Sequence, residues 1–153
     1  MHPIRKIVVP VDFSDHSRHA LEYAIDFARQ VGAEIHVIHA FSMPLTTIAA
    51  YDFAGAAVAV PANLWADLES ASEKNLEAFL AEFDAKGVEV KSRVVVDVPT
   101  TAIVDFAKNV DADLIIMGTR GLTGLKHVAL GSVAERTLRS APCPVLTLKA
   151  SDG

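Results

Sequence analysis

A single cysteine, Cys143, leaves this 153-residue chain with no internal disulfide to make. Small secreted domains normally carry several, so the shortage predicts a reducing, cytoplasmic compartment. Basic residues are the minority: 14 Lys+Arg stand against 19 Asp+Glu, a net charge of −5. That balance excludes the dense basic surface needed for general binding to nucleic acid or anionic membrane. No run approaches the roughly 18 apolar residues of a membrane span, and the first apolar stretch, Ile7–Val11, is too short for a signal-peptide core. Metal-ligand patterns are missing as well: His16 and His19 sit one helical turn apart, but no third ligand has a matching spacing. What remains, 51% apolar and 22% charged residues, is the composition of one globular domain over residues 1–153. A chain of this length can bury about 68–70% of its unfolded surface.

Hydrophobic patterning divides the chain into alternating elements. Lys6–Val11 is a short β-branched run that reads as a buried strand. Ser14 or Ser17 caps a helix whose apolar residues, Ala20, Leu21, Ala24, Ile25, Ala28 and Val31, recur at three- and four-residue steps until Gly32. Glu34–Phe41 is a second strand, so the first three elements form a βαβ unit with parallel pairing. Its two histidines, His36 and His39, fall on opposite faces and are expected to be packing or surface residues. Ser42–Leu64 loses periodicity and carries one charge, Asp52, which predicts a long loop or irregular helix serving as a flap or an interaction surface. A helix with the stripe Trp65, Leu68, Leu76, Phe79, Leu80 and Phe83 follows, ending at Gly87. Then come a strand over Val88–Val96, a helix capped by Thr100 or Thr101 and running to Val110, a central apolar strand over Asp113–Met117, a helix over Ser132–Ser140 and a last strand over Cys143–Lys149. Strict alternation of five strands and four helices predicts an open, doubly wound parallel sheet of order 3-2-1-4-5 with helices on both faces. Cys143 has no nearby cue for an activated thiolate and is expected to be buried and inert.

The glycines are unevenly placed. Four of eight, Gly118, Gly121, Gly124 and Gly131, lie within 14 residues. Ligands of such sheets bind beyond the carboxyl ends of the strands where strand order reverses. Here that point lies between the first and fourth strands, which end at Asp12 and Met117-Gly118. Glycine permits positive φ and lets an amide approach a ligand with no Cβ in the way. Ser132 and Glu135 have capping-box spacing, so a helix with outward amides should start at Ser132, and its N-terminus suits phosphate. No acid occurs between Leu114 and Ala134, whereas Arg120 and Lys126 do. The glycines alone leave an ordinary strand-to-helix loop as an equal alternative, and neither a Walker A loop nor a Gly-x-Gly-x-x-Gly fingerprint is present. By its position alone Asp12 reads as a turn carboxylate that caps the first helix; at a nucleotide site it would instead meet a ribose hydroxyl or a phosphate-bridging Mg²⁺.

Gly118-x2-Gly121-x9-Gly131-Ser132 resembles, without a gap, the Gly-x2-Gly-x9-Gly-Ser/Thr motif of ATP-binding members of the universal stress protein family. Ile7-Val-Val-Pro-Val-Asp12-Phe-Ser14 is similar to that family's opening strand and turn, and Ala141-Pro-Cys-Pro-Val-Leu146 to its closing strand. The resemblance implies a flavodoxin-like fold, ATP with Mg²⁺ in the crevice, and a homodimer paired through the C-terminal strand at 143–149. It places Asp12 by the ribose and phosphates and the main chain of Val11 and Ala40 beside the adenine. Met117 and Gly118 would flank adenine and ribose, while Arg120, Gly121, Gly131, Ser132 and Val133 would surround the phosphates. An apolar Val145–Leu148 edge is consistent with such pairing, and a charged cover from Lys149 or the tail would equally protect a monomer.

With no general base beside a nucleophile in the sequence, these features predict a nucleotide-dependent stress-response module with at most slow hydrolysis. It would act through a protein partner that the sequence does not name. Two other readings use the same parts: a nucleotide hydrolase or phosphoryl- or adenylyl-transferase, and a non-nucleotide dimeric interaction module built on the dimer edge and the 42–64 segment.

Overall fold

The computed structural model describes residues 2–42, 63–121 and 130–149. Most of the expected 42–64 loop, and Gly124 and Lys126 of the glycine window, lie outside the described residues. Five strands are present in this part of the chain: β1 (Lys6–Pro10), β2 (Glu34–Phe41), β3 (Val90–Val96), β4 (Leu114–Gly118) and β5 (Val145–Leu148). Four helices alternate with them: α1 (Asp15–Val31), α2 (Leu64–Leu80), α3 (Pro99–Asn109) and α4 (Ser132–Ser140). The sheet has the order β3-β2-β1-β4-β5 and every pairing is parallel. This is the strand order predicted from the alternation, and the flavodoxin-like arrangement that the resemblance implies.

Side-chain alternation along the strands divides the core in two. Ile7, Val9, Ile35, Val37, Leu114 and Ile116 pack on α1 and α2, against Leu21, Ala24, Leu76 and Phe79. Val8, Ile38, Ile115 and Met117 face the other way, onto Ala102, Ile103 and Ala107 of α3 and Ala134 of α4. Helices therefore cover both faces, as the continuous apolar runs of β1 and β4 require. All five positions of β4 are buried, and it lies inside the sheet between β1 and β5, as its apolar run predicts.

Helix ends show where local signals were outweighed. Ser14 caps α1, its hydroxyl accepting from the Ser17 amide at 3.2 Å, and Gly32 closes the helix at φ 72°. The predicted Thr100 or Thr101 cap is not used: α3 starts at Pro99 with Val98 before it, because proline is preset for the first helical position. Ser132 is likewise the first residue of α4 rather than its cap; Gly131 takes the cap position without a side-chain bond. The cause is tertiary, since the Gly131 amide donates to Thr119 O at 2.6 Å and thereby fixes where the helix begins. α2 stops at Leu80, short of Gly87, and only Leu76 and Phe79 are buried in it; Trp65, expected in the stripe, is 40% exposed. Cys143 is half-buried, not fully so, and burial, then the Asp113 charge, pushes its thiol pKa up.

Candidate functional site

At the carboxyl ends of β1, β2 and β4 lies a cavity of about 810 Å³, within the roughly 300–1,000 Å³ range of small-molecule sites. All ten residues singled out in the sequence line it: Val11, Asp12, Ala40, Met117, Gly118, Arg120, Gly121, Gly131, Ser132 and Val133.

One wall is the turn from β1 to α1. The Val11 amide donates to Ile38 O at 2.9 Å, and the Val11 carbonyl lies 2.8 Å from His39 Nδ1. Both polar groups of Val11 are thus engaged, leaving the second lone pair of its carbonyl and its nonpolar surface for a ligand. Asp12 Oδ1 accepts the Ser14 amide at 3.0 Å, and the Asp12 amide donates to Ser17 Oγ at 3.3 Å. The turn-carboxylate role is therefore real, but the cap itself belongs to Ser14. Between Asp12 and Ser14 the chain passes through Phe13 at φ 66°, a conformation costly for a bulky residue.

The facing wall is the segment after β4. None of Gly118, Gly121 and Gly131 has positive φ; the described glycines that do are Gly32 and Gly87. Close approach, not an unusual turn, is what requires glycine here. A Cβ on Gly118 would stand 2.9 Å from both the Cβ and the carbonyl oxygen of His16, one on Gly131 would be 3.2 Å from Thr119 O, and one on Gly121 would overlap Asp12 Oδ2. Ser132, Val133 and Ala134, in the first turn of α4, also line the cavity, and the first amides of a helix lack intrahelical acceptors. Thr119 Oγ1 and Arg120 Nε are buried beside them and have no hydrogen-bond partner among the described residues. The donors and the guanidinium fit an anionic ligand.

A family model, the universal stress protein family, matches residues 3–149. The chain belongs to that family. It is 36% identical over 146 residues to universal stress protein MJ0531 of Methanocaldococcus jannaschii, covering 95% of this chain and 82% of the relative. The solved structure of MJ0577, a universal stress protein of the same organism, superposes with a TM-score of 0.80 at 28% identity, over 99% of this chain and all of the other. A universal stress protein solved in complex with cAMP gives 0.60 at 26% identity, covering 96% and 98% of the two chains. One from Archaeoglobus fulgidus in complex with dAMP gives 0.62 at 26%, covering 95% and 98%.

In this universal stress protein the cavity also takes in residues that the motif does not reach. Ile38, Pro99 and Ile103 extend the apolar side, and Phe13, His39, Phe41, Ser72 and Asn75 form the side toward α2. The end of β2 was the available signal for His39 and Phe41, because strand ends at this edge carry the site. Ser72 and Asn75 had none, since their place depends on how α2 crosses the sheet. Among the described lining residues the charged side chains are Asp12 and Arg120. Among the described residues no group of three or more His, Cys, Asp or Glu is placed to hold a metal, which includes His16 and His19. No described helix is long and apolar enough to cross a membrane.

Proposed function

We propose that this universal stress protein binds an adenine nucleotide, ATP accompanied by Mg²⁺, in the crevice between β1 and β4, as a regulatory module that hydrolyses it slowly if at all. The observation that carries the reading is the convergence of all ten residues on one cavity, where a Cβ on Gly121 would overlap Asp12 of the facing wall. Solved family members in complex with cAMP and dAMP support an adenine ligand. In this reading Ile38, Ala40, Ile103 and Met117 hold the base. Asp12 meets the ribose and, through the phosphates, Mg²⁺. Arg120, Gly121, Gly131, Ser132 and Val133 surround the phosphates, where the amides at the start of α4 and the helix dipole contribute about 0.3–2 kcal/mol. His39 Nδ1 is turned to Val11 O and the Ser17 hydroxyl to Ser14 O, so these two side chains do not form a base–nucleophile pair, in keeping with slow turnover. The module pairs through its C-terminal strand and works in the cytoplasm, in keeping with its lone cysteine.

Calorimetry with ATP and Mg²⁺ tests this on the wild type, Gly131→Val and Asp12→Ala. The wild type should take up nucleotide, and both variants should weaken it at least about tenfold, or roughly 1.4 kcal/mol. Absence of uptake by the wild type, or equal affinity in Gly131→Val, would overturn the assignment.

A further inference from the structure

His39 touches the residues on both sides of Asp12. Its Nδ1 lies 2.8 Å from the Val11 carbonyl; a carbonyl only accepts, so Nδ1 carries the proton and donates. Its ring meets the Phe13 ring with centroids 4.4 Å apart and planes at 37°, and its other neighbour is Phe41 at 5.9 Å. Phe13 is in turn backed by Phe79 of α2 at 5.4 Å, edge to face.

Phe13 holds a left-handed backbone at φ 66°. Such a conformation persists in a bulky residue only where the surroundings over-determine it. The surroundings here are the His39 and Phe79 rings. Val11, on the other side, is fixed by the His39 hydrogen bond and by the hydrogen bond that its amide donates to Ile38 O. Asp12 sits between these two anchored residues, and the Ser14 amide also holds its Oδ1 at 3.0 Å. We propose that His39 is the positioning residue of the site: it aims the Asp12 carboxylate into the cavity by clamping Val11 through Nδ1 and Phe13 through its ring. It belongs to β2 while the turn belongs to β1, so the clamp crosses two strands and adds to the local bonds that Asp12 makes with Ser14 and Ser17.

The proposal rests on the nucleotide reading for one of its two readouts, and the other is independent of it. His39→Leu removes the donor and keeps an apolar body; His39→Asn restores a donor nitrogen bonded to Cγ, the place that Nδ1 has in histidine. In His39→Leu the amides of Asp12 and Ser14, which donate to Ser17 Oγ and Asp12 Oδ1, should exchange with solvent about tenfold faster while amides of α3 keep their wild-type protection. Affinity for ATP with Mg²⁺ should fall by about the same factor, as expected when one hydrogen bond that orients a binding group is lost. His39→Asn should recover part of both. Unchanged exchange at Asp12 and Ser14 in His39→Leu would overturn the proposal whatever the nucleotide result. So would loss of protection spread evenly through α3, because that marks general destabilisation. If the wild type binds no nucleotide, the nucleotide reading falls, and local exchange together with its recovery in His39→Asn still decides for or against the clamp.

Discussion

Asp12 Oδ2 fills the space that a side chain on Gly121 would need. The two residues belong to different walls of the cavity, one after β1 and the other after β4, and they are 109 positions apart in sequence. Their contact brings the carboxylate against bare backbone and sets the width of the crevice at that point.

Gly121→Ala should therefore be more damaging than its size suggests. The added methyl displaces the Asp12 carboxylate or the loop, an overpacking cost of about 1–3 kcal/mol, and adenine-nucleotide affinity should fall at least about tenfold. Gly32→Ala is the comparison. It has positive φ but no atom within 4 Å of the added Cβ, so it should cost about 1–2 kcal/mol from backbone strain alone and leave affinity unchanged. Urea unfolding and calorimetry on the two variants separate the effects.

Glu34 should give the protein part of its acid sensitivity. Its Oε2 is 2.9 Å from Lys91 Nζ and its Oε1 is 2.8 Å from His36 Nε2. The Lys91 ammonium first, and His36 second, lower its pKa from 4.5 to about 2. A carboxylate with a depressed folded pKa stabilises the native state above its unfolded pKa, and this contribution fades as pH falls from 4.5 toward 2. Both partners reach solvent, so screening keeps the contribution of the pair small. Glu34→Gln should lower Tm by about 2–4 °C at pH 7, with the difference shrinking below pH 4.5. Thermal scans from pH 2 to 7 check the convergence.

The fold was readable because each element carries its own period. β-branched runs marked β1, β2 and β4, and the three- and four-residue spacing through Ala20, Leu21, Ala24 and Ala28 marked α1. Much of the site was readable for a related reason, since the topology sends β1 and β4 to the switch point and the glycine spacing lies directly after β4. The sequence could not show that Gly118 and Gly121 are glycine because of His16 and Asp12; those neighbours are tertiary. Nor could it show that Gly131 would cap α4 in place of Ser132, a choice made by a hydrogen bond to Thr119. His39 reads from the sequence as a packing or surface residue and does pack on Phe13 and Phe41; strand parity locates a side chain on a face but does not show the Val11 carbonyl that it meets at the strand's end.

The β5 edge gives a test of the proposed dimer. Pro144 O and Leu148 O accept from Ile115 and Thr119 of the β4 side. In a parallel ladder the polar groups of alternate residues turn the same way, so Val145 and Thr147 present theirs outward. Thr147→Pro removes an outward donor and spares the bonds to β4. Sedimentation should show a monomer in place of a dimer, with the circular dichroism of the wild type. A dimer that survives would exclude pairing along this strand.

The cavity has walls from both halves of the core, with Phe13, Val11 and Phe41 from the α1–α2 side and Ile38, Met117 and Val133 from the α3–α4 side. Elsewhere the sheet keeps these two sets of side chains apart. An occupant of the cavity would touch both at once and act as a shared core residue supplied from solution. The cohesion of the two layers would then follow the concentration of a small molecule, rising by about 2.7 kcal/mol at a hundredfold excess over Kd.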